Sequence, residues 1–144
     1  MGRERYLVRS FGDNIEGTKA GVGKTLELLL GKYNSAVIVV PQIGQVKHTM
    51  LKDVLGEELS KVLIRDRVIK LEGGKTLSIC ASTTLRSHTN NEVYLALWGT
   101  EKIISDIEAI IACKAVVLVT WLPKDAAAWS NSYSPKVIFD DKKS

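Results

Sequence analysis

The stretch "VYLALWGTEKIISDIEAIIACKAVVLVTW", Val93 to Trp121, decides the fold. It begins with the apolar run Val93–Trp98 and ends in a second one, Ala115–Leu122. Neither run alternates with polar residues. Short, continuous and rich in β-branched residues, they read as strands buried on both faces, as in a parallel sheet covered by helices. Between them Ile103, Ile104, Ile107, Ile110 and Ile111 recur at helical spacing, and Thr100 stands before them as an N-cap. Strand, helix and strand within about thirty residues make a βαβ unit.

The same pattern extends toward the N-terminus. "AVIVV", Ala36–Val40, is a third buried strand, and "YLVRSF", Tyr6–Phe11, a fourth. Arg9 gives the fourth one less buried face or an edge position. Val22, Leu26, Leu29 and Leu30 share one helical face, with Gly31 as a stop. Val46, Met50, Val54 and Leu55 share another, ending near Gly56, and Leu59, Val62 and Leu63 mark a further short helix. "VIKLEGGKTLSIC" is a hairpin. A two-residue Gly-Gly turn would set Leu77 on the face opposite Ile69 and Leu71. A three-residue loop pairs Leu71 with Lys75 and Ile69 with Leu77, so the longer loop is expected, with Gly74 left-handed. "KVIF" offers a last strand. The alternation predicts an α/β fold: a three-layer, Rossmann-like sandwich with a mostly parallel central sheet, right-handed crossovers and one β-hairpin insertion.

A chain of 144 residues suits one domain, 1–144, with loose ends at 1–5 and 140–144. With 45% hydrophobic and 25% charged residues, it can bury a core without staples. The net charge of +4 and pI near 9.1 permit anionic partners. Lys and Arg are interleaved with Asp and Glu, however, and no dense basic run or base-stacking motif argues for nucleic acid. Cys80 and Cys113 close apolar runs and read as core thiols. The apolar part of the N-terminus is too short for a signal peptide, and no run approaches the roughly 20 residues of a membrane span. A cytoplasmic protein is expected, without a membrane partner.

"EGTKAGVGKTLELLLG", Glu16–Gly31, resembles a phosphate-binding loop opening a helix, through Gly23-Lys24-Thr25. That loop needs a glycine five residues before the second one, directly after a strand. Thr18 occupies the required position, Gly17 comes one residue too early, and "GDNIE" separates the segment from its strand. A looser anion site at a helix N-terminus, helped by Lys19 and Lys24, fits better.

In an open parallel sheet, ligands bind beyond the carboxyl ends of the strands. That rule selects Ser10, Asp13 and Asn14 after the first strand and Pro41 and Gln42 after "AVIVV". It also selects Gly99, Thr100 and Glu101 after "VYLALW", and Trp121, Lys124 and Asp125 after "AVVLVTW". Asp13-Asn14 is also an ordinary turn pair, and Thr100 and Asp125 ordinary caps. The polar loop "STTLRSHTNN", Ser82–Asn91, carries Arg86, which could hold a phosphate, and His88, which could act as acid or base. The expected ligand set is Ser10, Asp13, Asn14, Lys19, Lys24, Thr25, Arg86, Thr100 and Lys124. His88, Glu101 and Asp13 are candidates for proton transfer. No complete catalytic constellation, cofactor motif or metal-ligand spacing is visible. The expected function is binding of a nucleotide or phosphorylated small molecule. The alternative is a protein-interaction module or the subunit of a homo-oligomer.

Overall fold

The computed structural model describes residues 3–11, 14–42, 44 and 48–140. The Val-rich runs form β2 (Ser35–Val40), β5 (Val93–Gly99) and β6 (Ala115–Thr120). They lie side by side and parallel, with Ala36 level with Val93 and Val93 level with Ala115. All of β6 and β5 is buried, as continuous apolar runs require. β1 (Glu4–Arg9) and β7 (Lys136–Asp140) extend the sheet parallel on one side. β3 (Val68–Leu71) and β4 (Lys75–Ala81) extend it on the other. The order of the seven-stranded sheet is β3-β4-β2-β5-β6-β1-β7, and only β3 runs antiparallel to its neighbour.

The hairpin has the register set by its apolar faces, Ile69 opposite Leu77 and Leu71 opposite Lys75. Gly73 and Gly74 are both left-handed, at φ +83° and +77°. It is not an insertion. β4 pairs in parallel with β2 over Ser35–Val40 and forms part of the main sheet.

The helices are α1 (Ile15–Gly31), α2 (His48–Leu55), α3 (Glu57–Asp66), α4 (Glu101–Glu108) and α5 (Ala127–Tyr133). Of the expected stripe on α2, Val46 lies outside the described residues. One apolar cluster joins Val22, Leu28 and Leu29 of α1 with Leu51 and Leu63 against Ile38, Leu95, Val117 and their neighbours. A second joins Ile103, Ile104 and Ile107 of α4 and Trp129 of α5 to Val37, Tyr94, Val116 and Leu118. Alternate residues of the same strands thus feed opposite faces of the sheet. Cys80 and Cys113 are buried free thiols, pushed up to about 11 by burial.

Of the ends expected to be loose, residues 3–5 and 140 are held in place, and residues 1–2 and 141–144 lie outside the described residues. Glu4 and Arg5 begin β1 and Asp140 ends β7. Arg3 donates to the carbonyls of Glu108, Ile110 and Cys113 at 2.8–2.9 Å, satisfying acceptors at the end of α4 and in the turn that follows it. No helix of the described residues is long and apolar enough to cross a membrane.

Candidate functional site: the crevice at the carboxyl ends of β2, β5 and β6

Two neighbouring strand pairs send their outgoing connections to opposite faces, which opens a crevice beyond their carboxyl ends. At β6 and β1, α1 leaves on one face and α5 on the other. This gap is plugged. Ser10 and Thr120 are fully buried. The Ser10 N–H donates to Thr120 Oγ1 at 3.1 Å, and the Ser10 hydroxyl to the Thr120 carbonyl at 3.2 Å. Thr120 Oγ1 donates to the Ser10 carbonyl at 2.8 Å. Gly17 presses on the same knot, since a Cβ there would lie 2.6 Å from Ser10 Cβ. Ser10 therefore faces packed protein rather than a ligand.

At β2 and β5, α2 leaves on one face and α4 on the other, and here the described residues leave the ends open. A cavity of about 320 Å³ is lined by Pro41, Trp98, Thr100, Trp121, Leu122 and Asp125. Trp98 is its unusual member. The β5–β6 register slips between Leu97 and Gly99, leaving Trp98 as the extra residue of a bulge. Its φ is +57°, a left-handed conformation that bulky side chains avoid at a cost of about 1–3 kcal/mol. The bulge swings the indole onto the face that carries Leu97, 3% exposed, edge-to-face with Trp121 at 5.9 Å between centroids. Gly99 follows because a Cβ there would meet Ala96 Cβ at 2.9 Å and Leu118 Cδ1 at 3.0 Å. Among the described residues, Trp98 Nε1 alone is a buried side-chain polar atom with no hydrogen-bond partner. An orphaned buried donor costs about 1–3 kcal/mol. Strain and an unmade hydrogen bond thus coincide on one residue at the open crevice.

The rim is built from caps. Thr100 Oγ1 accepts the Ile103 N–H at 3.3 Å, and Asp125 Oδ2 accepts the Leu122 N–H at 3.2 Å. Glu101 sits exposed in the first turn of α4, and Lys124 is exposed in the 3-10 turn Pro123–Ala126.

The other expected ligand residues do not join this cavity. Gly17–Thr25 is not a loop at all: it lies inside α1, whose N-cap Asn14 accepts the Gly17 N–H at 2.9 Å. Lys24 is mid-helix, 3.0 Å from Glu27 and 4.4 Å above the Tyr6 ring. Thr25 is buried and donates to the Gly21 carbonyl at 2.8 Å. Lys19 lies 4.0 Å from Glu16. Arg86 lines a separate hollow with Asp106 and Ile110. The carbonyl of His88 accepts from Asn91 and from the Tyr94 hydroxyl, which fixes that loop against β5. Asp13 lies outside the described residues. Trp98 was not among the residues singled out from the sequence. Its signal was a tryptophan followed directly by glycine at the end of a buried strand.

A larger hollow, about 670 Å³, lies at the opposite, amino end of β1, between Arg3, Glu4, Arg5, Lys32, Tyr33 and Glu108 among others. Its charges already answer one another. Glu108 is 2.8 Å from both Arg3 and Arg5 and accepts the Trp129 indole N–H at 2.8 Å. Burial alone would raise the Glu108 carboxyl, but Arg5 and Trp129 outweigh it and hold the group below the usual range. Glu4 accepts from Lys32, Tyr33 and Tyr6, and Lys32 foremost lowers it from 4.5 to about 2. This is a structural network.

A carboxyl held low in the fold contributes stability above its unfolded value, and that contribution is lost as pH falls through the folded value. For Glu4 the window runs from about 4.5 down to about 2. The Glu4 side chain is 25% exposed, so screening reduces the contribution to on the order of 2 kcal/mol. Urea melts across that window should show Glu4→Gln losing less stability than the wild type. Parallel pH profiles for the two proteins would remove Glu4 from the account.

No protein-family model, curated protein or solved structure matches this chain. Among the described residues no three His, Cys, Asp or Glu gather as a group able to hold a metal ion.

Proposed function

We propose that the chain is a cytoplasmic, three-layer, Rossmann-like domain that binds a nucleotide or other phosphorylated small molecule at the β2–β5 crevice. The observation that carries this reading is the open crevice holding the strained Trp98 with its unpartnered N–H. Ligand sites recur at such points of parallel sheets, and strained residues and orphaned polar groups gather at sites. The phosphate fits at the rim, against the first turn of α4, whose leading N–H groups point out of the helix. Lys124 supplies a cation on the neighbouring turn.

Trp98 and Trp121 report on binding directly through their fluorescence, with Trp129 as a constant background. The test is fluorescence titration and thermal shift with nucleoside mono- and triphosphates, sugar phosphates and inorganic phosphate. Glu101 stands where the phosphate would lie, so Glu101→Gln should tighten a phosphorylated ligand about two- to fivefold, and Lys124→Ala should weaken it by a similar factor. Lys24→Ala, remote and paired with Glu27, is the control without effect. Binding that ignores both rim changes, or no response to any phosphorylated compound, would end the reading.

One observation favours a second reading, a homo-oligomer subunit. β7 is an outer strand with Val137 47% exposed, and unprotected outer strands pair with further chains. A monomer by light scattering at high concentration would dispose of it.

A further inference from the structure

The crevice and its rim differ in chemistry, and the difference says which part of a ligand goes where. Among the described residues no Lys or Arg lines the cavity, and the one charged member is Asp125. Among these described residues a phosphate inside would meet a carboxylate and no cation. The walls are instead Pro41, Leu122 and two indoles, and Trp121 keeps 41% of its surface exposed. Such walls suit a flat, uncharged ring. The polar groups are equally selective. Trp98 Nε1–H has no partner but is itself buried, so a ring in the cavity does not reach it. Asp125 can only accept, and the Leu122 N–H takes one oxygen, leaving acceptor capacity on the carboxylate. A ring that satisfies Asp125 must carry a donor. At about 320 Å³ the cavity is at the small end of ligand pockets, roughly 300–1,000 Å³, which suits one ring system.

We propose that the Trp98–Trp121 hollow is a nucleobase pocket: a neutral heteroaromatic ring packs against Trp121 and donates to Asp125. This deepens the reading above by naming the substrate class, and it rests on the same crevice. It makes the base the anchor and the phosphate a rim contact.

The probes are the four common nucleosides, which carry no phosphate, set against ribose 5-phosphate and inorganic phosphate. They are titrated by tryptophan fluorescence and calorimetry into wild type, Trp98→Phe, Trp121→Ala and Asp125→Asn. At least one nucleoside should bind. Trp98→Phe keeps a ring and removes only a buried N–H, and should leave that nucleoside's affinity within about twofold. Trp121→Ala, at an exposed position, should weaken it about tenfold or more through lost stacking. Asp125→Asn should change which base is preferred. Loss of fold in Trp98→Phe would show in circular dichroism, and Trp121→Ala then carries the test. The base pocket is overturned if no nucleoside binds, or if nucleosides bind Trp121→Ala as tightly as wild type. Binding of ribose 5-phosphate without any nucleoside overturns the pocket and leaves the phosphorylated-ligand reading standing. A nucleoside whose 5′-phosphate adds nothing supports the pocket and sinks the phosphate rim.

Discussion

Glu108→Ala should lower stability by about 3 kcal/mol, within the range for removing one partner of a buried ion pair. The side chain is 9% exposed and joins three elements through Arg3, Arg5 and Trp129. Its removal leaves two guanidinium groups, 17% and 20% exposed, facing each other without their shared anion. The Trp129 N–H is orphaned as well. Partial access of water to the arginines keeps the loss toward the low end of the range. For a domain of this size the melting temperature should fall by roughly 10 °C. Glu108→Gln keeps the shape and an acceptor, and should cost less. Chemical denaturation of the three proteins measures the difference. A loss below about 1 kcal/mol would place this network among ordinary surface pairs.

Two glycines of the same helix should respond to alanine with opposite signs. A Cβ on Gly21 would lie 2.2 Å from Cγ2 of Val119, a fully buried residue of the central sheet. Helix propensity favours alanine by about 1 kcal/mol. Overpacking of a rigid strand costs typically 1–3 kcal/mol, and here the clash is with the base of a short side chain that has nowhere to turn. Gly21→Ala should therefore destabilise by about 2 kcal/mol, and Val119→Ala in the same chain should recover part of that loss. Gly23 has nothing within 4 Å of its would-be Cβ. Gly23→Ala should stabilise by about 0.5–1 kcal/mol. Equal effects at the two positions would mean that α1 does not approach β6 as described.

These glycines also explain what was hard to read in the sequence. A small residue lets a backbone come close, whether to a phosphate or to a strand, and "AGVGKT" is compatible with both. The structure uses Gly17 and Gly21 for the second purpose: they bring α1 down onto Ser10 and Val119. The sheet was more legible. Runs such as Ala36–Val40 and Ala115–Thr120 have no polar face, so they had to lie between helices. Ile69, Leu71 and Leu77 fixed the hairpin register because a slip of one residue would expose them. Strand order was not legible, since it depends on which non-local pairs win. Nor was the Trp98 bulge, because a fully apolar strand gives no alternation from which an extra residue could be noticed. Arg3 and Arg5 looked like a solvated terminus, as their partner Glu108 lies a hundred residues away in sequence. Of the candidate site, Thr100, Glu101 and Lys124 were found by the strand-end rule. Arg86, Lys24 and Thr25 were chosen by residue type, and none of the three lines the β2–β5 crevice.

β1 lies between β6 and β7. Of the seven strands of this sheet, β1 is made first and its two neighbours last. Residues 4–9 have no ladder to join until Ala115–Thr120 has emerged, and their second edge stays open until Lys136–Asp140 follows. Closure of this sheet is consequently late relative to the synthesis of β1, because it joins residues 4–9 to residues 115–140, with the slow, length-dependent search that such distant pairings impose. During synthesis the apolar face of α1 has to wait for β5 and β6, and that interval is when the nascent chain is most exposed to aggregation.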